Sequence, residues 1–191
     1  MSEEGAKPPS AGVGRLSSRR IYTGKVLSLD LDLVQFPDGS TGELEMIRHS
    51  GASAIVPIFD VEKSDPEILL IRQYRYAANG YVYEIPAGRL DNGETPENCA
   101  RRELREETGY SANQFRSLTT IYTTPGFTDE RIHLFAGEGL TPGKDARESD
   151  EFLELHPVPL SKAMAMILAG EIVDGKTIVG LFLVQSNQGR K

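Results

Sequence analysis

Between Ile21 and His49 apolar and polar side chains alternate. Leu27, Leu29, Leu31 and Leu33 form one set, with Ser28, Asp30 and Asp32 between them, and Val34 and Phe36 then move to the opposite alternation. A period of two marks a strand with one covered face. Pro37-Asp38-Gly39-Ser40 supplies a turn, and a second strand over 41–49 carries Leu44 and Met46 on one face. The pattern predicts an antiparallel meander of about three strands, too small to stand alone. It must pack on the rest of the chain or on a second copy. Residues 1–18 are rich in Ser, Gly, Ala and Pro and predict a disordered tail, with Arg15, Arg19 and Arg20 solvated.

The remaining chain reads as mixed α and β. Ala52–Phe59 and Glu67–Arg72 are short apolar runs that predict buried strands, and Tyr81–Ile85 is another, closed by Pro86. A helix is predicted over 96–108, because Thr95 suits the N-cap, Pro96 the first helical position and Gly109 the left-handed residue that ends a helix. Further strands are expected near Ser117–Tyr122, Arg131–Gly137 and Phe152–His156, and helices over Leu160–Ala169 and Thr177–Gln185. The mixture predicts an α/β sandwich with a mixed sheet. The expected division is a tail over 1–18, an N-terminal β region over 19–50 and a main domain over 51–191.

Composition excludes several classes. A length of 191 residues suits one domain with an appendage, and a net charge of −7 argues against a nucleic-acid surface. No apolar run reaches the roughly 18–20 residues of a membrane span, and the acidic Glu3 and Glu4 argue against a signal peptide. The single cysteine, Cys99, rules out an internal disulfide framework and a multi-cysteine zinc site; it is expected buried and reduced. These features lead us to expect a cytoplasmic location. His49, His133 and His156 are scattered and read as packed rather than ligating.

The chemistry lies in the helix over 96–108. At 100° per residue, Glu103, Glu106 and Glu107 share one face about 100° wide, and Ala100 and Leu104 flank it toward the sheet. Like charges at this spacing, near a helix C-terminus, destabilise the helix by a few tenths of a kcal/mol per pair. Arg101, Arg102 and Arg105 can offset part of that. A divalent cation would offset more, and clustered hard oxygens suit Mg²⁺ or Mn²⁺. A solvated acidic face paired with arginines explains the helix by itself equally well.

The wider spacing separates the two readings. Gly88, five residues, Glu94, seven residues, Arg102-Glu103-Leu104, one residue, Glu106-Glu107, one residue, Gly109 and Tyr110 closely resemble the signature of the Nudix hydrolases. Only the last place, usually aliphatic, departs. The resemblance implies an α/β/α sandwich with a loop–helix–loop metal platform. It assigns metal contacts to Glu103, Glu107, Glu106 and the Ala87 carbonyl, and structural pairing to Glu94 and Arg102.

The flanks narrow it. Ile71-Arg72-Gln73-Tyr74-Arg75, Tyr83–Gly88 and Thr124–Glu130, with Pro125 sixteen residues past Gly109, look like the group that hydrolyses ADP-ribose and other nucleoside-diphosphate sugars. In that light Arg75 is a candidate phosphate contact. Glu84 would bind metal or substrate, or else pair with Arg75 or Arg89. Glu45 and Arg48 are candidates for the nucleoside end, or else a solvated strand face. Tyr22, Phe36 and Tyr74 are the aromatics that could stack on a base. The group draws its general base from a loop ahead of a late strand, here Glu151 first, then Glu148 and Asp150, with Gly143 as a flexible lead-in; Glu106 is a further catalytic candidate. The resemblance also implies a homodimer. The expected activity is metal-dependent cleavage of ADP-ribose or a relative such as GDP-mannose, the alternative being a non-catalytic sensor that binds nucleotide sugars.

Overall fold

The computed structural model describes residues 12–143 and 153–188. They fall into two units: the residues up to Ser50 together with Tyr122–Glu130, and Gly51–Ile121 together with Arg131 onward. The inclusion of 122–130 in the N-terminal unit was not anticipated from the sequence.

The N-terminal unit is a three-stranded antiparallel sheet in the order β1 (Gly14–Thr23), β2 (Ser28–Gln35), β3 (Thr41–Arg48). The turn at 37–40 forms as read: Gly39 has φ +85° and Asp38 accepts hydrogen bonds from the Ser40 N–H and hydroxyl. Two expectations are corrected. Residues 14–18, assigned to the tail, are part of β1. Its side chains are almost all exposed, so it carries no burial pattern and is held by its backbone ladder to β2. The covered alternation of β2 is the acidic one. Asp30 and Asp32 are buried, whereas Leu33 and, on β3, Leu44 are 37% exposed.

Arginines explain that inversion. Arg20, expected in a solvated cluster, pairs with Asp30, and Arg48 reaches Asp30, Asp32 and Asp129. Buried carboxylates are tolerated when cations and hydrogen bonds satisfy them. The Arg20 hydrogen bond, against the opposing effect of burial and with help from Arg48, holds the Asp30 carboxyl below the usual range. Segment 122–130 is sutured to β3: Ile47 N–H donates to Phe127 O at 2.8 Å, Asp129 N–H to Ile47 O at 3.2 Å, and His49 N–H to the Asp129 carboxylate at 3.0 Å.

The larger unit holds a mixed seven-stranded sheet. Its main path runs β10 (Leu153–Pro159), β5 (Glu67–Arg75), β4 (Ala52–Ile58), β9 (Arg131–Pro142), β8 (Tyr110–Tyr122). β6 (Gly80–Glu84) pairs with β5, and the short β7 (Ala87–Arg89) pairs with β4. β4 and β9 are parallel; β10 and β5 are antiparallel.

Alternation along β4 builds the layers. Ile55 turns to α1 (Pro96–Thr108), packing with Ala100, Leu104 and Phe135. Ala54, Val56 and Ile58 face the opposite side, where Leu160, Ala163 and Met164 of α2 (Leu160–Leu168) and Leu181 and Val184 of α3 (Gly175–Gln188) complete the main core. Helices on both faces of a mixed sheet make the expected α/β/α sandwich.

Candidate active site

Helix α1 forms because its ends are specified locally. The Thr95 side chain accepts from the Asn98 N–H, Pro96 takes the first position, and Gly109 closes the helix at φ +75°. Leu104 and Ala100 anchor it to the sheet, which turns Glu103, Glu106 and Glu107 to a common side. Glu103 and Glu107 are 8% and 3% exposed, while Glu106 is half-buried.

Of the three arginines expected to offset this charge, Arg102 contacts the carboxylates. Its Nη1 donates to Glu103 Oε1 at 2.6 Å and to Glu106 Oε2 at 3.0 Å. Its Nε and Nη2 donate to the two Glu94 oxygens, each at 3.0 Å, and Nη2 also reaches the Arg89 carbonyl. Arg101 instead pairs with Glu97 and lies over the Phe115 ring, and Arg105 is exposed. Arg102 thus ties the loop bearing Glu94 to the helix bearing the acidic face. The Arg102 hydrogen bonds pull the Glu94 carboxyl down to about 2, and donating them to Glu94 raises Arg102 beyond its ordinary range.

The strand before the helix is fitted to it. Ala87 N–H donates to Glu107 Oε2 at 3.0 Å. At Gly88 an added Cβ would lie 1.8 Å from Glu103 Oε1, so the carboxylate occupies the space a side chain would take. Cys99 is buried as expected, and its thiol reaches the Gly88 and Arg89 carbonyls. Burial, then the charges of Glu103 and Glu94, push that thiol up to about 11, so it is no nucleophile. Tyr110, the one departure from the signature, packs edge-on against Phe59, a packing role.

Glu84 is 3% exposed and takes two hydrogen bonds from Arg75, at 2.7 and 2.8 Å. The pairing of Glu84 with Arg75, one of the partners offered by the sequence, is present in this structure. Lys176, at the start of α3, adds a second cation on Glu84 Oε2 and lies 3.0 Å from Asp174. Burial pushes the Glu84 carboxyl up, but the Arg75 hydrogen bond and the Lys176 charge outweigh it and leave the group below its usual range. Arg75 in turn is raised, chiefly by its hydrogen bond to Glu84, with a smaller contribution from the Glu107 charge. Lys176 and Asp174 escaped the sequence reading, which began this helix at Thr177, whereas α3 begins at Gly175.

The larger unit therefore brings together Arg75, Glu84, Ala87, Glu103, Glu106 and Glu107. Glu45, Arg48 and Pro125 belong to the N-terminal unit. There Glu45 is exposed, Arg48 is engaged by three aspartates, and Pro125 lies in an exposed turn. The same unit has an open cavity of about 370 Å³ lined by Leu27, Ile47, His49, Thr124 and Phe127 among others. Of the stacking candidates, Tyr22 and Tyr74 are exposed and Phe36 is partly covered. Glu148, Asp150 and Glu151 lie outside the described residues. Gly143, the expected flexible lead-in, donates its N–H to the Gly109 carbonyl at 2.7 Å.

The donor set suits a hard divalent cation: carboxylate oxygens from one helix face, and a glycine cradle at position 88 that keeps Glu103 against the neighbouring strand. As they stand, Glu103 and Glu106 are drawn to Arg102 and Glu107 to Ala87. Among the described residues no three acidic, histidine or cysteine side chains converge as a finished cage.

The NUDIX domain pattern matches residues 49–178. This chain belongs to the Nudix family. It is 37% identical over 172 residues to an ADP-ribose pyrophosphatase of Bacillus subtilis, covering 89% of this chain and 91% of that one. It is also 37% identical to a methanol dehydrogenase activator of Bacillus methanolicus, over 92% of this chain and 94% of that one. A GDP-mannose pyrophosphatase of Citrobacter koseri is 37% identical over 75% of this chain and 81% of its own length. In fold, the chain is similar to a crystal structure titled ADP compounds hydrolase, with a TM-score of 0.79, 22% identity, and 97% and 98% of the two chains covered. The protein is a Nudix hydrolase, and the Arg102-centred cluster is its signature segment in three dimensions. Among the described residues no helix of this Nudix protein is long and apolar enough to cross a membrane.

Proposed function

We propose that the protein hydrolyses the diphosphate bond of ADP-ribose, giving AMP and ribose 5-phosphate, with Mg²⁺ or Mn²⁺ as cofactor. The observation that carries this reading is the carboxylate face of α1, with Glu103 lodged against Gly88, Glu107 on the Ala87 N–H, and Arg102 drawing Glu103 and Glu106 together. A hydrolase that cleaves an anhydride between two anionic phosphates needs such a platform.

Glu103, Glu106, Glu107 and the Ala87 carbonyl would hold the cation. When bound, it neutralises the diphosphate and makes phosphorus accessible to attack by water. Arg75 holds one phosphate through charge-assisted hydrogen bonds, since its pair with Glu84 uses Nε and Nη2 and leaves Nη1 outside the pair. A base must take the proton from the attacking water. Glu151 is proposed for that role, with Glu148, Asp150 and Glu106 as the other candidate carboxylates. Glu45 and Arg48 are proposed for the nucleoside end, contributed by a neighbouring subunit, and Pro125 as a further substrate contact.

The N-terminal sheet exposes Leu16, Ile21, Leu33 and Leu44, which supports a homodimer through this unit. A monomer mass by light scattering at micromolar concentration would remove that proposal.

The deciding experiment is a product assay across ADP-ribose, GDP-mannose and other sugar nucleotides, with Mg²⁺ and with chelator. Highest kcat/KM for ADP-ribose, abolished by chelator, is the expected result. A preference for GDP-mannose would move the substrate within the same class. Tight binding without turnover of any of them would favour a sensor.

A further inference from the structure

Lys176 occupies the first turn of α3, where the positive end of the helix dipole disfavours a cation. Its side chain is nonetheless only 11% exposed, so helix stability does not account for its place. Its ammonium donates to Glu84 Oε2 and to Asp174 Oδ2. Asp174 Oδ2 also accepts from the Thr177 N–H and hydroxyl, at 3.0 and 2.6 Å, so one carboxylate holds the turn and the lysine together. The Thr177 hydroxyl oxygen accepts the buried Ile85 N–H at 2.9 Å. Gly180, one turn on, lets the helix come close: a Cβ there would stand 2.9 Å from Val56 and 3.3 Å from Ile85.

The helix start is thus locked to the strand end that carries Glu84 and Ile85, two residues before Ala87. A carboxylate as buried as Glu84 needs more than one partner to stay charged. Arg75 supplies two hydrogen bonds along one edge of its guanidinium, and Lys176 supplies a third together with the second charge. The Arg75 side chain remains 42% exposed. It is a cation anchored on one edge and open on the other, and its anchor is fixed from α3.

We propose that Lys176 is a positioning residue for substrate binding: by holding Glu84 it sets the Arg75 guanidinium that receives a substrate phosphate, without touching substrate itself. This rests on the reading of Arg75 as the phosphate contact. Without Lys176, Glu84 keeps one cation, shifts toward water or takes up a proton, and Arg75 loses its fixed edge.

The test compares Lys176→Met, which keeps the length of the stem, with Lys176→Arg, which keeps the charge. In the full-length protein Lys176→Met should raise KM for the preferred sugar nucleotide about tenfold with kcat within about threefold, and Lys176→Arg should recover most of the loss. The Arg75 Nε–H resonance in ¹⁵N spectra, identified by its loss in Arg75→Lys, should shift or broaden in Lys176→Met and return in Lys176→Arg. An unchanged Arg75 resonance overturns the proposal, as does a fall in kcat with KM unmoved. If the unsubstituted protein turns over none of the sugar nucleotides, the substrate reading fails, and the Arg75 resonance still decides whether Lys176 positions it.

Discussion

The Glu103 carboxylate stands where a side chain at position 88 would have to go: a Cβ on Gly88 would fall 1.8 Å from Glu103 Oε1. The two residues lie fifteen apart in the chain and are both fixed places of the same signature. The absence of a side chain at position 88 leaves the space that the Glu103 carboxylate occupies.

Gly88→Ala should therefore displace Glu103. The atoms in the way are the far end of a side chain, so the melting temperature should fall only slightly, while misplacing a proposed cofactor ligand should lower kcat/KM by about 10²-fold. Thermal melting and steady-state assays check both. A variant with the original rate and melting temperature would show that Glu103 swings aside without consequence.

Glu107→Gln and Glu103→Gln each keep shape while removing a charge. Each should cut the rate by about 10²-fold or more and weaken Mn²⁺ binding in titration calorimetry, with far-ultraviolet circular dichroism unchanged. Glu106→Gln should cost less, because Glu106 is the more exposed of the three. Normal turnover by the Glu103, Glu107 double variant would refute the cofactor assignment.

For the base, Glu151→Gln should reduce kcat by about 10²–10⁴-fold with KM and Mn²⁺ affinity little changed. If Glu148→Gln shows that pattern instead, the base is Glu148. Near-normal kcat in both would place the base outside this loop.

The Glu94–Arg102 pair predicts an acid window. Glu94 titrates at about 2 in the folded protein against 4.5 for the ordinary group. Its contribution to stability is complete above about 4.5 and drains away as the pH falls toward about 2. Urea midpoints measured from pH 6 downward should fall through that window in the unsubstituted protein. They should fall less steeply in Glu94→Gln, which starts lower at neutral pH.

Helix α1 was legible from the sequence to the residue at each end, because Thr95, Pro96 and Gly109 act through bonds to their immediate neighbours. The common face of Glu103, Glu106 and Glu107 follows from helical spacing alone, and the order of the longer strands and helices in the larger unit follows from short-range periodicity, though the short β7 was not read. Strand β1 was not legible, since a strand exposed on both faces has no apolar alternation and depends on backbone pairing with β2.

What only the tertiary structure decided is which charges meet. The leucines of β2 form the better apolar pattern, yet the aspartates are covered, with Arg20 and Arg48 arriving from the strands on either side to pair with them. Lys176 meets Glu84 across 92 positions, and Arg48 meets Asp129 across 81. An ion pair requires proximity in space and leaves no period in the sequence. The acidic face of α1 could therefore be named from spacing, and Arg75 offered as a partner of Glu84, while Lys176 on Glu84 and the arginines on the aspartates of β2 emerged only in the folded chain.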